Sequence, residues 1–498
     1  MAASRPAWPK LSPAFVRDQL IGHKLLGLAL AAVMYVICLS GTVAVFYREF
    51  ERWEKPSVPE MTHASPEAVA RVVADARALM AANKSKDVLY VGLPVPDMPR
   101  LTASWGETGR AYDAEGRYVG SSSHPVTHFV TELHYYLHLP ATIGLLIVGI
   151  AGAGLLALIL GGLLSHPRIL KDAFHLRLRG AKRLSLTDVH NRLGVWAAPF
   201  HAVIALTGAM IGLGQVLFFA MALMFYKGDL IRAYEPLLGS PAEFAAVTGG
   251  KPLAGDAAVI RALAEVRAKV PDATLNGVVL TGLGTPQARL EVSANMTNRV
   301  IYSEVFRFDA EGNLKGRAGL SDGPVGKQIY SSLYPLHFGS FGGLAIELVY
   351  VVLGLGLCLI CATGTDLWLV KSAEKGKPHP ALHRVWTAFI WVTPAALALA
   401  AAAMLAFGWS AKLIFWGLVV ASALAAIPPA IDQKTWSRAG RLALGLSLLV
   451  LPAAHMATLR STSLAALGPN LVCATLGLLI VGVMAFGAWR TPKSLDKA

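Results

Sequence analysis

Gly22-His23-Lys24-Leu25-Leu26-Gly27 opens an apolar run that reaches Leu39-Ser40-Gly41-Thr42, and the signature returns as Val189-His190-Asn191-Arg192-Leu193-Gly194 with Leu206-Thr207-Gly208-Ala209. His23 and His190, Gly27 and Gly194, and Ser40-Gly41 and Thr207-Gly208 are each separated by 167 residues. A second stretch is duplicated too, since Tyr112-Asp113-Ala114-Glu115-Gly116 reappears as Phe308-Asp309-Ala310-Glu311-Gly312. Each is followed by a histidine near the next apolar run, His134 in Thr131-Glu132-Leu133-His134 and His337 in Leu333-Tyr334-Pro335-Leu336-His337, with Gly161 and Gly364 lying 27 residues beyond. A fixed offset marks an internal repeat. Residues 20–165 and 187–371 each read as helix, outer domain, helix, running in the same direction, so a pseudo-twofold along the membrane normal is expected to relate them.

Length and composition put the repeat in lipid. The 498 residues are 54% hydrophobic and 15% charged, and a mean hydropathy of +0.51 is foreign to a soluble chain of this size. Apolar runs near or above the ~20 residues a bilayer needs occur at roughly 25–47, 140–164, 193–219, 340–370, 385–407, 412–430, 441–458 and 470–488, which predicts eight spanning helices. The first follows 24 basic-rich residues and ends in Val45-Phe46-Tyr47-Arg48 with no small-residue cleavage site, so it reads as an anchor rather than a signal peptide. The short segments 1–24, 165–192, 371–384, 431–441 and 490–498 carry 21 Lys/Arg against 6 Asp/Glu, whereas 48–138 holds 10 against 12 and 220–336 holds 12 against 11. The positive-inside rule therefore places both termini in the cytoplasm and both long loops outside, in the periplasm of a bacterial inner membrane. The basic balance reflects orientation and asks for no nucleic acid.

The expected plan is an α-helical membrane protein of about eight transmembrane helices, with two small α+β modules outside the membrane. It runs as a cytoplasmic N-terminus (1–24), TM1 (25–47), a first module (48–138), TM2 (139–164), a basic loop (165–192), TM3 (193–219), a second module (220–336), TM4 (337–370), a loop (371–384), a C-terminal four-helix region (385–490) and a tail (491–498). Within the modules, amphipathic helices at 66–82 and 255–270 precede strand-like alternation at 88–93, 100–105, 277–281, 288–293 and 300–308. All four cysteines, Cys38, Cys358, Cys361 and Cys473, fall in spans, which predicts no disulfide framework and makes Cys358 and Cys361 small packing residues.

The ordered signatures Gly22-His23…Gly27, Glu132-Leu133-His134, Asp188-Val189-His190…Gly194 and Leu336-His337-Phe338-Gly339-Ser340-Phe341-Gly342-Gly343, leading to Thr363-Gly364 and Trp368, resemble the PepSY-associated transmembrane helix family over about 20–371. That resemblance implies two PepSY-like modules and a kinship with inner-membrane ferric-siderophore reductases. Residues 385–498 lie outside it.

Paired imidazoles suit low-spin haem iron, one nitrogen on the metal and the other N–H held by an acceptor. A twofold sets equivalents at equal depth, so His23 is expected to face His190 on the cytoplasmic side and His134 to face His337 on the outer side, each pair holding the iron of one haem b. No Cys-x-x-Cys-His is present, so covalent attachment is not expected. His138, one turn from His134, is an alternative outer ligand. His201, 11 residues past His190, returns to the same helix face ~16 Å deeper, with Met34 as its counterpart; it is an alternative inner ligand, a bridge, or an intramembrane hydrogen bond. Without it the two haems stand about a bilayer thickness apart. Glu347 reads as a proton carrier, a partner to a ligand, or an interhelical hydrogen bond. His124 and His128 are placed where an iron complex could dock, while His63, His166, His175, His379, His383 and His455 have no counterparts and carry no assignment.

The expected activity is reduction of a periplasmic Fe(III)-siderophore, with electrons from a cytoplasmic reductase or quinol, since no Gly-x-Gly-x-x-Gly follows a strand in a cytoplasmic segment. The competing expectation is a transporter or assembly factor whose modules bind siderophore or peptide, the histidines being structural.

Overall fold

In the computed structural model, residues 11–165, 177, 181–238, 253, 255–285 and 288–490 are described. His166, His175 and the tail 491–498 lie outside them. The chain forms two compact units, one of Met1–Tyr47, Val126–Gly212 and Glu347–Ala498, the other of Arg48–Pro125 and Leu213–Ile346.

The helical unit begins with α1 (Pro13–Ala44), where the Ser12 hydroxyl accepts from the Phe15 N–H at 3.2 Å. That cap starts the helix a dozen residues before the expected span, so His23 sits in its third turn. The other elements of the chain are α2 (Tyr47–Glu54), α3 (Pro66–Ala82), α4 (Pro125–Tyr136), α5 (Ala141–Leu164), α6 (Lys182–Trp196), α7 (Ala198–Phe225), α8 (Leu230–Leu238), α9 (Asp256–Lys269), α10 (Val325–Phe338), α11 (Gly343–Glu374), α12 (Pro380–Phe407), α13 (Ala411–Ala425), α14 (Gln433–Leu459) and α15 (Leu464–Arg490). Among the described residues seven helices, α1, α5, α7, α11, α12, α14 and α15, are long and apolar enough to cross a bilayer.

Among the described residues, seven is one fewer than the expected eight. The 412–430 run yields only the 15-residue α13, about 22 Å of helix, because Pro428-Pro429 cannot continue it. Arg384, near the start of α12, nevertheless hydrogen-bonds the Ala426 and Ile427 carbonyls, so the short helix returns the chain to the level at which α12 begins. The expected third span is likewise two helices, broken at Ala197, which places His190 on α6. Both outer histidines precede their spans on short helices. His134 is on α4, separated from α5 by positive-φ Leu137 and His138, and His337 is on α10, separated from α11 by positive-φ Gly339 and Gly343.

Small residues let the spans approach. Gly152 lies against Ala205 and Ala209, and Gly212 against Gly149, bringing α5 onto α7. Met34 packs with Ile37, Ala151, Leu155, Ala205 and Leu357. The cysteines are free, and Cys38, Cys358 and Cys361 pack around Tyr35 and Leu39.

The second unit is built on β1 (Leu89–Gly92), β2 (Leu101–Trp105), β3 (Thr108–Tyr112), β4 (Tyr118–Ser121), β5 (Thr274–Thr281), β6 (Arg289–Asn295), β7 (Glu304–Phe308) and β8 (Leu314–Arg317). The two expected modules share one antiparallel sheet, in the order β4-β3-β2-β1-β5-β6-β7-β8. Leu89 pairs with Leu280, Val91 with Val278 and Gly92 with Gly277, the self-complementary register a twofold imposes. One face of the sheet is covered by α3 and α9, whose Val72, Val73, Val259 and Leu263 join Leu89, Val91, Val278 and Leu280 in the core. The duplicated turn is the same in both halves: Asp113 Oδ1 accepts from the N–H groups of Glu115 and Arg117, and Asp309 Oδ1 from those of Glu311 and Asn313. Gly116 at φ +77° would set a Cβ 2.5 Å from the Ala68 carbonyl, so only glycine fits.

On α2 and the loops beside it, Arg52 makes a two-pronged pair with Glu60 at 2.8 and 2.9 Å, and Arg48 meets Asp97 at 2.7 Å. Burial pushes the neighbouring Glu51 carboxyl up to about 7, against the pull of Arg48. A folded-state value above the unfolded one means the contribution of Glu51 to stability is full at low pH and lost as pH rises through about 7. Glu51→Gln is therefore expected to stabilise the full chain by about 2 kcal/mol near pH 8, discounted from the whole shift for partial exposure. The gain should shrink near pH 5. Melting temperatures at the two pH values check this, and equal gains at both would sink it.

Candidate metal centre

His23 on α1 and His190 on α6 come together within the helical unit, their ring centres 6.3 Å apart and their planes at 88°. Two imidazoles on opposite sides of one iron, each nitrogen about 2 Å from the metal, have ring centres about 6 Å apart. Both rings are tied through Nδ1, His23 to the Leu158 carbonyl at 3.0 Å and His190 to the Ile360 carbonyl at 3.1 Å. A carbonyl only accepts, so Nδ1 carries the hydrogen in each ring and Nε2 keeps its lone pair. Burial, then the nearby His23, pushes His190 down to about 4, which keeps it neutral and able to bind a metal.

The local sequence explains the fit. A Cβ on Gly162 would stand 3.1 Å from His23 Cε1, and one on Gly364 would stand 3.0 Å from His190 Cε1. In each case the carbonyl that holds the ring lies four residues before the glycine, at Leu158 and Ile360. The glycine admits the ring to the helix backbone, and the carbonyl one turn earlier fixes it. Gly162 fills this role in the first copy, where the spacing pointed to Gly161; Gly161 instead lies near Gln19.

The same cradle holds His134. Its Nδ1 donates to the Ile37 carbonyl at 2.9 Å, and a Cβ on Gly41 would come within 2.6 Å of the ring. Burial lowers its pKa, so it too is neutral. The Ser40 and Thr363 hydroxyls bond back to carbonyls three and four residues earlier, at Val36 and Ile37 and at Leu359 and Ile360. Ser40-Gly41 and Thr363-Gly364 are thus ring supports. Thr207 has the same back-bonds, to Val203 and Ile204.

The profile of the PepSY-associated TM region family matches residues 21–371, which contain every one of these elements. The chain belongs to the PepSY-associated TM region family. A relative from Pseudomonas aeruginosa, described as an uncharacterized protein, is 29% identical over 358 residues, covering 68% of this chain and 89% of its own length. The PepSY-associated match stops short of α12–α15.

Those helices nonetheless reach the PepSY-associated histidines. Trp416 on α13 donates its indole N–H to His138 Nδ1 at 3.2 Å, and His138 Nε2 is held by the Phe129 carbonyl at 2.8 Å. With both nitrogens engaged, His138 has none left for iron, and it stacks on Phe129 instead. Lys412 pairs with Glu132 at 2.7 Å, so α13 braces α4, which carries His134. His201 is buried and gives Nε2 to the Leu353 carbonyl at 3.2 Å, spending the nitrogen that the cradled rings keep. Glu347 is buried in the second turn of α11, shallower than the sequence implied. His128 is exposed on α4, His124 immediately precedes that helix, and His337 is half-buried on α10 in the other unit. Among the described residues no group of three or more His, Cys, Asp or Glu side chains is set to hold a bare ion; the inner histidines meet as a pair.

Proposed function

We propose that the chain is a b-type haem protein of a bacterial inner membrane, which passes electrons across the bilayer to a periplasmic Fe(III)-siderophore and so releases iron. The observation that carries this reading is the His23–His190 pair, two neutral rings at iron-ligand spacing, each locked through Nδ1 with Nε2 left over. When bound, haem supplies reversible one-electron transfer. The protein supplies the rest. Leu158 and Ile360 fix the tautomers and raise ligand basicity, and Gly162 and Gly364 let the rings seat deeply.

His134 supports an outer haem in the same way, its ring held through Nδ1 beside Gly41, and the repeat makes His337 its counterpart. Along α1, the His23 level and the Ile37–Gly41 cradle stand about 24 Å apart, shorter than a full bilayer crossing. The charge asymmetry supports cytoplasmic termini and outward loops, and the return of α13 to the start of α12 preserves that parity. At the outer face the hard oxygen donors that suit Fe(III) hold Fe(II) poorly, which couples reduction to release. The donor is a quinol or a cytoplasmic reductase.

An absorption spectrum of the purified protein tests this. Soret and α bands that respond to dithionite, at about two haems per chain, are expected. A folded, colourless protein would reject the reading in favour of a transporter or assembly factor that binds its ligand through the outer modules.

A further inference from the structure

We propose that the cluster of Asp366, His383, Thr387 and Gln433, where α11, α12 and α14 meet, binds the headgroup of a quinol and takes up one of its protons. As an electron entry this rests on the haem reading; as a binding site it rests on geometry alone. The Gln433 amide nitrogen lies 3.1 Å from Thr387 Oγ1 and 2.6 Å from His383 Nε2. Thr387 spends its own hydrogen on the His383 carbonyl at 2.8 Å, so its oxygen accepts from the amide, and that fixes which end of Gln433 is nitrogen. The remaining amide N–H points to His383 Nε2, which therefore carries a lone pair. Asp366 Oδ1 stands 3.6 Å from that same nitrogen, buried and with no hydrogen-bond partner. That lone pair is taken by the amide, so the unpartnered atom of the cluster is Asp366 Oδ1, a buried acceptor beside His383. A ligand carrying an O–H answers that arrangement.

The surroundings narrow the ligand to a flat, lipid-borne one. Trp386 on the same helix donates to the Ala362 carbonyl at 3.3 Å, Trp368 stacks on His379 at 5.1 Å, and Leu382, next to His383 in the chain, is exposed. Lys182, at the start of α6, is the cation whose charge reaches both Asp366 and His383. Asp366 is two residues beyond Gly364, against which His190 packs, so a ring held here is at the level of the inner histidine pair along α11, on another face of that helix. Oxidation of one quinol breaks its two phenolic O–H bonds and leaves two carbonyls. The proton of the hydroxyl held by Asp366 passes to its carboxylate and the other, from the far end of the ring, to water, and ferric haem held by His23 and His190 would supply the one-electron acceptor, reduced twice per quinol.

The test titrates decylubiquinone against the purified full-length chain in detergent, read by quenching of tryptophan fluorescence. Saturable binding is expected for the native chain, at least about tenfold weaker in Gln433→Leu and in His383→Ala. Thr387→Ser, which keeps the hydroxyl, should bind as the native chain does, and melting curves show that each variant is folded. Asp366→Asn should bind the quinone within about threefold of native, yet slow decylubiquinol reduction of the ferric absorption at least about a hundredfold while dithionite reduction is unchanged. No saturable binding to the native chain, or unchanged binding in both Gln433→Leu and His383→Ala, overturns the site. Native-rate quinol reduction in Asp366→Asn overturns the proton role. A colourless chain that still binds decylubiquinone through His383 and Gln433 rejects the haem reading and leaves the site standing.

Discussion

The His190→Ala chain is expected to purify folded but with one haem fewer than the native protein, and to lose transmembrane reduction of an Fe(III) complex by at least about a hundredfold. Removal of a group that merely orients a ligand already costs about 10–100-fold in metal affinity, and removal of the ligand itself costs more. The cavity left by the ring lies beside Gly364 and Thr363, so added imidazole should enter it and restore part of the Soret band. Two variants make the result specific. His23→Ala should behave alike, because its ring is the other half of the pair. His138→Gln should keep both haems, because Trp416 and Phe129 already occupy both nitrogens of that ring. Haem content by pyridine haemochrome and the rate of iron reduction check all three. Full haem content in His190→Ala and His23→Ala would remove the basis of the proposed function.

Why some of this was legible in the sequence, and some not, follows from what a linear pattern encodes. The 167-residue offset survives because both copies must present a ring at the same level of the bundle, so His23 and His190 could be paired from spacing alone. The amphipathic helix at 66–82 and the strands near 88–93 and 100–105 were readable because burial on one face imposes a period on the side chains. β3, β4 and β8 were not, since Gly109, Gly120 and Gly316 interrupt any alternation there. The joining of the modules through β1 and β5 was hidden for a different reason. Edge-to-edge pairing uses main-chain groups that every residue has, and no side chain announces it. The chain break at Ala197 fell inside the apolar run 193–219, where hydropathy alone cannot separate one helix from two, and those at Leu137 and Gly339 fell just ahead of the runs 140–164 and 340–370. The cluster around His383 escaped because neither His383 nor Gln433, 50 residues on, belongs to a repeat, and no spacing rule joins them to Asp366.

The cradle glycines give the sharpest separation between a structural histidine and a ligand, and Gly41→Ala is expected to expel or tilt the outer haem while leaving the inner one in place. The added methyl carbon would lie 2.6 Å from His134 Cε1 and 2.8 Å from Nδ1, closer than non-bonded atoms stand, so the ring must move. Movement breaks its hydrogen bond to the Ile37 carbonyl and frees a ring whose orientation the ligand bond requires. The helix itself gains, since alanine in a helix interior is favoured over glycine by about 1 kcal/mol, and loss of haem could not then be blamed on a broken α1. The corresponding contacts at Gly162 and Gly364 are looser, 3.1 and 3.0 Å, so alanine there should shift the spectrum of the inner haem without removing it. A graded outcome is therefore expected, with Gly41→Ala losing about half the total haem and the other two losing little. Equal, full haem content and native spectra in all three variants would mean that the rings sit beside these glycines for packing alone, with no metal to hold.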